Sequence, residues 1–137
     1  MKEIMDIRYT DKREFSEKQV EELFLSVNWE SGKHPARLYK ALQNCESVFT
    51  AWDGGRLVAL ANAIDDGAMT AYVHYLLVRP EYQCAGIGSE LLTLVKKRYK
   101  DFLCLFLVAE NPSLVEYYEK QGFEKIGGRS VMAISKK

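Results

Sequence analysis

The sequence predicts an α/β (α+β) fold in which a mixed central sheet of about seven strands packs against four helices. Short runs rich in β-branched and aromatic residues alternate with segments whose apolar residues recur at helical spacing. Glycine and proline mark the boundaries between these segments. In the second half, a helical segment lies between two apolar strands, an order that favours a parallel pair joined by a crossover.

Composition limits the class of protein. The 137 residues are 47% apolar and 28% charged, which predicts a single domain over residues 1–137. Nineteen Lys and Arg balance nineteen Asp and Glu, so no global field attracts nucleic acid or a membrane. No run is long enough to cross a bilayer, and no signal peptide is evident. Three cysteines without a CxxC spacing favour a cytoplasmic protein with free thiols and no metal site.

The first half predicts one strand, two helices and three strands. Ser16 with Gln19 resembles a capping box at the start of the first helix. Pro35 suits the first position of the second helix. The turn at Asp53-Gly54-Gly55 predicts a hairpin. The predicted elements are strands over residues 5–9, 47–52, 57–64 and 69–78, and helices over residues 16–27 and 35–42.

The second half predicts two helices and three strands. The segment at residues 102–108 is almost wholly apolar, which indicates a strand buried on both faces. Asn111 suits the N-cap of the last helix and Gly122 its C-terminal end. The predicted elements are helices over residues 87–99 and 112–121, and strands over residues 102–108, 123–126 and 130–134.

The loop from Gln83 to Ser89 is the strongest functional signal. It connects an apolar strand directly to a helix, and a helix start presents unpaired N–H groups and a positive dipole end. Gly86 and Gly88 permit close approach of a bulky diphosphate. The Walker and dinucleotide patterns do not match, because each needs residues that are absent here. A plain strand-to-helix turn is the alternative interpretation of this loop.

The pattern Q-x-x-G-x-G from Gln83 to Gly88 resembles the acyl-CoA pyrophosphate loop of the GNAT superfamily of N-acetyltransferases. The later spacing of Asn111, Tyr118, Gly122 and Phe123 is similar to a second segment of that family. The order of predicted elements also matches its fold. The resemblance covers roughly residues 46–127.

The resemblance implies a GNAT fold in which the fourth and fifth strands splay apart around acetyl-CoA (coenzyme A after transfer). It implies that the backbone of the fourth strand meets the pantetheine arm and that the loop holds the pyrophosphate. It also implies that Tyr118 donates a proton to the departing thiolate. Asn111 and Tyr118 could instead serve only as helix cap and packing. The implied donor-binding residues are Leu76, Leu77, Val78, Gln83, Cys84, Ala85, Gly86, Ile87, Gly88, Ser89, Asn111 and Tyr118.

One departure from the family pattern concerns Cys84 and Ala85. Many members carry Arg, Lys or Gln just before the first loop glycine. Donor binding here is therefore expected to depend on backbone amides. A nucleophilic cysteine needs a paired base, and the sequence shows none for Cys84, so we do not expect it to act as a nucleophile.

The implied activity is acetyl transfer from acetyl-CoA to a primary amine, by direct attack in a ternary complex. A small-molecule acceptor of the arylalkylamine type is favoured. A protein or peptide N-acetyltransferase and a non-catalytic acyl-CoA-binding module are the alternatives. We expect no nucleic-acid or membrane partner, and a homodimer is left open.

His74 is the predicted general base. Two-residue alternation places it on the face of Tyr72, Leu76 and Val78. It resembles the strand histidine of arylalkylamine acetyltransferases, and its ordinary pKa suits proton acceptance near neutrality. A packed histidine with a satisfied hydrogen bond is an equally good interpretation. The acids at Glu110, Asp65 and Asp66 are weaker candidates.

The acceptor is expected beside the loop at residues 28–34 and the helix after it. Trp29 and Glu30 offer an aromatic wall and a carboxylate, which fits a small amine with an apolar body. Tyr39 and Tyr72 would extend the wall. Trp29 could equally well only anchor the loop.

Overall fold

The computed structural model describes residues 6–136, and within this range one mixed sheet of five strands is flanked by four α-helices. Strands adjacent in sequence are adjacent in the sheet; the first four are antiparallel, and the fifth is parallel to the fourth. The strands are β1 (Ile7–Thr10), β2 (Ser47–Asp53), β3 (Arg56–Asp65), β4 (Thr70–Val78) and β5 (Cys104–Phe106). The helices are α1 (Glu17–Ser26), α2 (Pro35–Asn44), α3 (Ile87–Arg98) and α4 (Pro112–Lys120), with 3₁₀ turns at Glu30–Lys33 and Pro80–Tyr82. The first predicted strand began at Met5, which lies outside the described residues.

Local signals explain most of these boundaries. The Ser16 hydroxyl accepts from the Gln19 backbone at 3.1 Å, and the Gln19 side chain accepts from the Ser16 backbone at 2.8 Å, so the predicted capping box is confirmed. Pro35 occupies the first turn of α2, as predicted. Gly54 turns the β2–β3 hairpin with a φ of +59°, a conformation that glycine adopts without a Cβ clash.

The sheet has an apolar core on each face. On one face, Ala59, Ala61 and Ala63 of β3 are fully buried beneath α3, because their short side chains let the helix lie close to the sheet. On the other face, α1 and α2 cover larger residues. The buried members of that second core are Phe15, Val20, Leu23, Phe24, Leu38, Leu42, Val48, Trp52, Leu57, Leu60 and Leu77.

The prediction of about seven strands is wrong. The segments at residues 123–126 and 130–134 have no regular secondary structure, and the side chains of Ile126, Val131, Met132 and Ile134 are exposed. A strand needs an edge with which to pair, and a hairpin alone is marginal in water. β5 pairs over only three residues, so it offers these segments a very short edge.

The predicted burial of the segment at residues 102–108 is also wrong. Only Cys104–Phe106 forms a strand, and Cys104 and Phe106 are exposed. β5 is the last strand of the sheet within residues 6–136, so its outer edge pairs with no other strand of that range.

Candidate active site at the end of strand β4

The turn after β4 is held in place by contacts with the β2–β3 hairpin and with the end of β4. Tyr82 is buried, its hydroxyl donates to the Asp53 carboxylate, and the guanidinium of Arg56 lies over its ring. The Gln83 side chain folds back, and its Nε2 donates to the Val78 carbonyl at 2.9 Å. These contacts hold the loop start against the sheet and leave the following residues to face solvent.

The loop then presents a row of backbone donors. Gly86 is the N-cap of α3, with a φ of +85° and no side chain to cap the helix. Within residues 6–136, no backbone N–H from Cys84 to Ser89 has a hydrogen-bond acceptor. Because these donors belong to a helix start, they form a surface suited to an anion.

The space at this surface is open. A Cβ built on Gly86 would meet no heavy atom within 4 Å. A Cβ on Gly88 would lie 3.6 Å from both the Tyr117 hydroxyl and Val78 Cγ2. Gly88 therefore lies in a narrower place than Gly86, between β4 and α4.

Helix α4 is joined to the first turn of α3 by a small polar cluster. The hydroxyls of Ser89 and Tyr117 lie 2.9 Å apart, and Gln121 Nε2 donates to Ser89 Oγ at 3.2 Å. Lys96 donates to the Gln121 carbonyl at 2.9 Å. This contact of Tyr117 is not predictable from sequence, because a tyrosine on a helix gives no sign of its partner on another helix.

Strands β4 and β5 diverge after a short pairing. Their register ends at Tyr72 opposite Phe106. Beyond Tyr72, no strand of the described chain pairs with this edge of β4, so the backbone of Leu76, Leu77 and Val78 borders an opening. This opening leads to the loop described above, because β4 runs directly into it.

A β-bulge interrupts β4 at His74. Val73 pairs with Ala63 and Tyr75 pairs with Asn62, so His74 has no residue opposite it on β3. One extra residue in a strand reverses which side chains face each side of the sheet.

The predicted common face for His74, Leu76 and Val78 is therefore wrong. Val73 before the bulge and Leu76 and Val78 after it all pack toward α3, although their positions differ in parity. His74 shares its side of the strand with Tyr72 but not with the other two.

The His74 imidazole lies within a set of aromatic rings. Its centroid is 3.9 Å from that of Tyr75 and 5.6 Å from that of Tyr72, both stacked. Desolvation by these surroundings lowers the pKa of His74 below its ordinary value of 6.5. The imidazole is therefore neutral near pH 7 and able to accept a proton.

The ring series continues on both sides of His74. Tyr72 stacks on Phe106, and Tyr75 contacts both Trp29 and Phe24. The structure thus brings two of the three predicted acceptor residues, Trp29 and Tyr72, into one aromatic series. Tyr39 is not part of this series. Its ring makes an edge-to-face contact with Phe15, with the two ring centroids 6.2 Å apart.

A cavity of about 840 Å³ adjoins this series and is lined in part by Tyr75, Ser31 and Glu30. The hydroxyls of Ser31 and Tyr75 lie 2.7 Å apart and join the loop to β4. The Glu30 carboxylate lies 3.5 Å from the Lys33 ammonium and 3.8 Å from the His34 imidazole. Its carboxylate is therefore not simply available to an incoming ammonium group.

Tyr118 and Asn111 both belong to α4. Tyr118 is half-buried against Tyr117 and Phe123, and its hydroxyl has no hydrogen-bond partner among residues 6–136. Burial, with Tyr117 and Glu110 nearby, raises the pKa of Tyr118 to about 12. Asn111 caps the helix by accepting from the Leu114 N–H at 3.0 Å, which leaves its amide nitrogen for other contacts.

The weaker acid candidates serve turns or the outer surface. Asp66 accepts from the N–H groups of three following residues, which lower its pKa. Asp65 accepts from Gly67 and from the buried Tyr99 hydroxyl. Glu110 lines a separate cavity of about 560 Å³ beside α4.

Other kinds of site are absent from the described part of the chain. Residues 6–136 contain no group of three or more His, Cys, Asp or Glu side chains placed to hold a metal ion. Cys45, Cys84 and Cys104 are free thiols. No helix within the same range has the length and apolar character needed to cross a bilayer.

Known proteins match both the sequence and the fold. The model of the Acetyltransferase (GNAT) family matches residues 3–123. An uncharacterised N-acetyltransferase (ycf52-like) of Prochlorococcus marinus is 28% identical over 110 residues, covering 77% of this chain and 61% of that relative. A ycf52 N-acetyltransferase of Porphyra purpurea is 26% identical, covering 90% of this chain and 73% of the relative. The chain thus spans about three fifths of the length of the Prochlorococcus relative.

A solved structure of a GNAT-family acetyltransferase from Streptococcus pneumoniae TIGR4 superposes with a TM-score of 0.83 at 26% identity, covering 96% of this chain and all of that one. A probable acetyltransferase from Staphylococcus aureus has the same TM-score at 21% identity and the same coverage of this chain, which shows likeness of fold. The family match covers most of the chain, and the sheet, the loop and α4 occur in the order that the sequence resemblance implied. The chain therefore belongs to the acetyltransferase (GNAT) family.

Proposed function

We propose that this acetyltransferase moves an acetyl group from acetyl-CoA to the primary amine of a small molecule with an aromatic or apolar body. One observation carries the proposal: the opening beside β4 runs from the aromatic series around His74 to the N–H groups at Gly86 that have no acceptor among residues 6–136. A thioester donor and an amine acceptor would therefore meet along one strand.

The loop fits the diphosphate of acetyl-CoA. Its backbone donors lack acceptors within the described chain, Gly86 leaves space above them, and the dipole of α3 favours an anion there. Backbone amides would do most of the binding, because Cys84 and Ala85 supply no cation. The donor supplies an activated acetyl group, and the free edge of β4 at residues 76–78 would align it.

The acceptor would lie beside the ring series. Flat aromatic walls at Trp29, Tyr72 and Tyr75 suit an apolar body and attract the positive charge of an amine. His74 lies among these rings and is neutral near pH 7, so it would take the proton that the amine must lose.

Tyr118 would return a proton to the departing thiolate. Its pKa of about 12 keeps the phenol protonated across the physiological range, and its hydroxyl has no competing partner among residues 6–136. Holding both substrates in a reactive arrangement supplies a further part of the rate acceleration, on the order of 7 kcal/mol.

Two measurements test the proposal. Isothermal titration with acetyl-CoA should show one site per chain, and a panel of aryl-substituted and aliphatic amines should release free thiol only with the preferred acceptors. Binding without thiol release for any amine or peptide would identify a non-catalytic acyl-CoA-binding module. Acetylation of peptides but not of free amines would identify a protein acetyltransferase instead.

A further inference from the structure

The cavity beside Tyr75 has charged side chains of both signs in its lining. Its lining includes two cations, Arg37 from α2 and Lys136 near the C-terminus, and one carboxylate, Glu30. Glu30 lies close to Lys33 and His34, whereas Arg37 and Lys136 have no ion pair or hydrogen bond within residues 6–136. The cavity therefore has an excess of positive charge on its walls.

The same cavity shares one wall residue, Tyr75, with the aromatic series proposed for the acceptor. Tyr75 lines it, and the Tyr75 ring stacks on the imidazole of His74 at 3.9 Å. A molecule whose amine lay near His74 would extend past Tyr75 toward Arg37. The far end of that molecule would meet a planar guanidinium, which binds carboxylate and phosphate oxygens through two parallel hydrogen bonds.

We propose that the acceptor carries an anionic oxygen group, a carboxylate or a phosphate, in addition to its amine, and that Arg37 with Lys136 binds this group. The inference rests on the proposed acetyl transfer to a small amine and narrows its substrate class. It replaces a simple arylalkylamine with an amine such as an aromatic amino acid. A purely cationic amine would gain nothing from Arg37 and would be repelled by it.

Matched acceptor pairs test the inference. Tyrosine is compared with tyramine, tryptophan with tryptamine, and O-phosphoethanolamine with ethanolamine, each scored by thiol release from acetyl-CoA. We expect at least one acidic partner to show a kcat/KM about tenfold higher than its neutral counterpart, the effect of one charge-assisted contact. A phosphate preference or a carboxylate preference distinguishes the two sources of negative charge. Equal or higher rates for every amine that lacks the acid would overturn the inference and leave the proposed function intact.

Variants assign the preference to its residue. Arg37→Gln should lose about tenfold in kcat/KM for the acidic acceptor only, with the loss mainly in KM, and Arg37→Lys should recover part of it. Lys136→Gln should lose less. Lys97→Gln removes the same charge from the exposed face of α3 and should change nothing. A fall in acetyl-CoA affinity in Arg37→Gln, with an unchanged acceptor preference, would overturn the assignment.

Product binding separates this inference from the proposed function. N-acetyltyrosine and N-acetyltyramine are titrated into the wild type and Arg37→Gln, which requires no turnover. Tighter binding of N-acetyltyrosine than of N-acetyltyramine by the wild type, but not by Arg37→Gln, supports the anion site even if no acceptor reacts. The absence of reaction would contradict only the catalytic proposal. Equal binding of the two products by the wild type contradicts the anion site.

Discussion

The hydroxyl of Tyr117 lies 2.9 Å from the hydroxyl of Ser89, and this contact ties α4 to the first turn of α3. The two helices carry different parts of the candidate site, because Ser89 ends the loop proposed to bind the diphosphate and Tyr118, next to Tyr117, is the predicted proton donor. The adjacent tyrosines therefore have different surroundings. The Tyr117 hydroxyl contacts α3, whereas the Tyr118 hydroxyl has no hydrogen-bond partner among residues 6–136.

Substituting each tyrosine by phenylalanine should distinguish the structural contact of Tyr117 from the proposed proton donation by Tyr118. Tyr118→Phe should lower kcat about a hundredfold, with acetyl-CoA affinity and thermal stability unchanged, because it removes only a proton donor. Tyr117→Phe should lower the free energy of unfolding by about 1 kcal/mol through the lost hydrogen bond. Steady-state kinetics, titration calorimetry and thermal unfolding measure the three quantities. Wild-type turnover in Tyr118→Phe would exclude that residue as the acid.

Gly86→Trp should abolish acetyl-CoA binding while the protein stays folded. A Cβ at Gly86 meets no neighbouring atom, so the indole would occupy the space above the free N–H groups and not the core. The φ of +85° adds a backbone strain of about 1–2 kcal/mol for any larger residue. Titration calorimetry and a melting curve measure the outcome.

Two control variants isolate the cause of that loss. Gly86→Ala introduces the same backbone strain without a large side chain, and it should keep most of the affinity for acetyl-CoA. Gly67→Trp places the same side chain at another glycine of positive φ with open space, in the β3–β4 turn at the opposite end of β4. It should lose stability to a similar extent and bind acetyl-CoA normally. Unchanged affinity in Gly86→Trp would remove the diphosphate from this loop.

His74→Gln should lower kcat/KM about a hundredfold and change its pH dependence. The lowered pKa of His74 means that the wild type loses its base only below about pH 6.5, so activity should fall as the pH drops through that lowered value. The variant should lack this acid-side fall for the same acceptor. His34→Gln, the change at the other histidine in the sequence, should keep it. An identical pH profile in wild type and His74→Gln would exclude His74 as the base.

Tyr99 should make the protein sensitive to alkaline pH. Its buried hydroxyl lies 2.6 Å from Ser47 Oγ and donates to Asp65 at 2.7 Å, and burial raises its pKa from 10.0 to about 12. Between those values the unfolded chain releases a proton that the folded protein retains, so the stability from this group is lost as the pH rises from about 10 to 12.

Tyr99→Phe should cost about 1–2 kcal/mol at pH 7, because it leaves the buried Ser47 with one partner fewer. Its unfolding free energy should then decline less steeply than that of the wild type between about pH 10 and 12. Chemical denaturation at several pH values measures the difference. Tyr39→Phe keeps its ring against Phe15 and should follow the wild-type curve. Parallel curves for wild type and Tyr99→Phe would contradict the assignment.

Much of the fold follows from local chemistry and was predictable. A capping box at Ser16, a proline at the start of α2 and a Gly-Gly turn after Asp53 each depend on residues a few positions apart. The loop from Gln83 to Ser89 is local in the same sense, because its backbone donors at residues 84–89, which lack acceptors among residues 6–136, arise from one turn of chain.

The amino-acid order alone thus predicted the family, through two motifs, and the helices, the first four strands and the loop, because periodicity, caps and turns are signals between near neighbours. Only the tertiary structure decided that a bulge at His74 turns that side chain away from Leu76 and toward Tyr75. It likewise decided that β5 is short, that the segments after α4 form no strands, and that Arg37 lines the cavity beside Tyr75. These outcomes depend on pairing register and packing between distant segments, and a one-residue change of register exchanges the two faces of a strand.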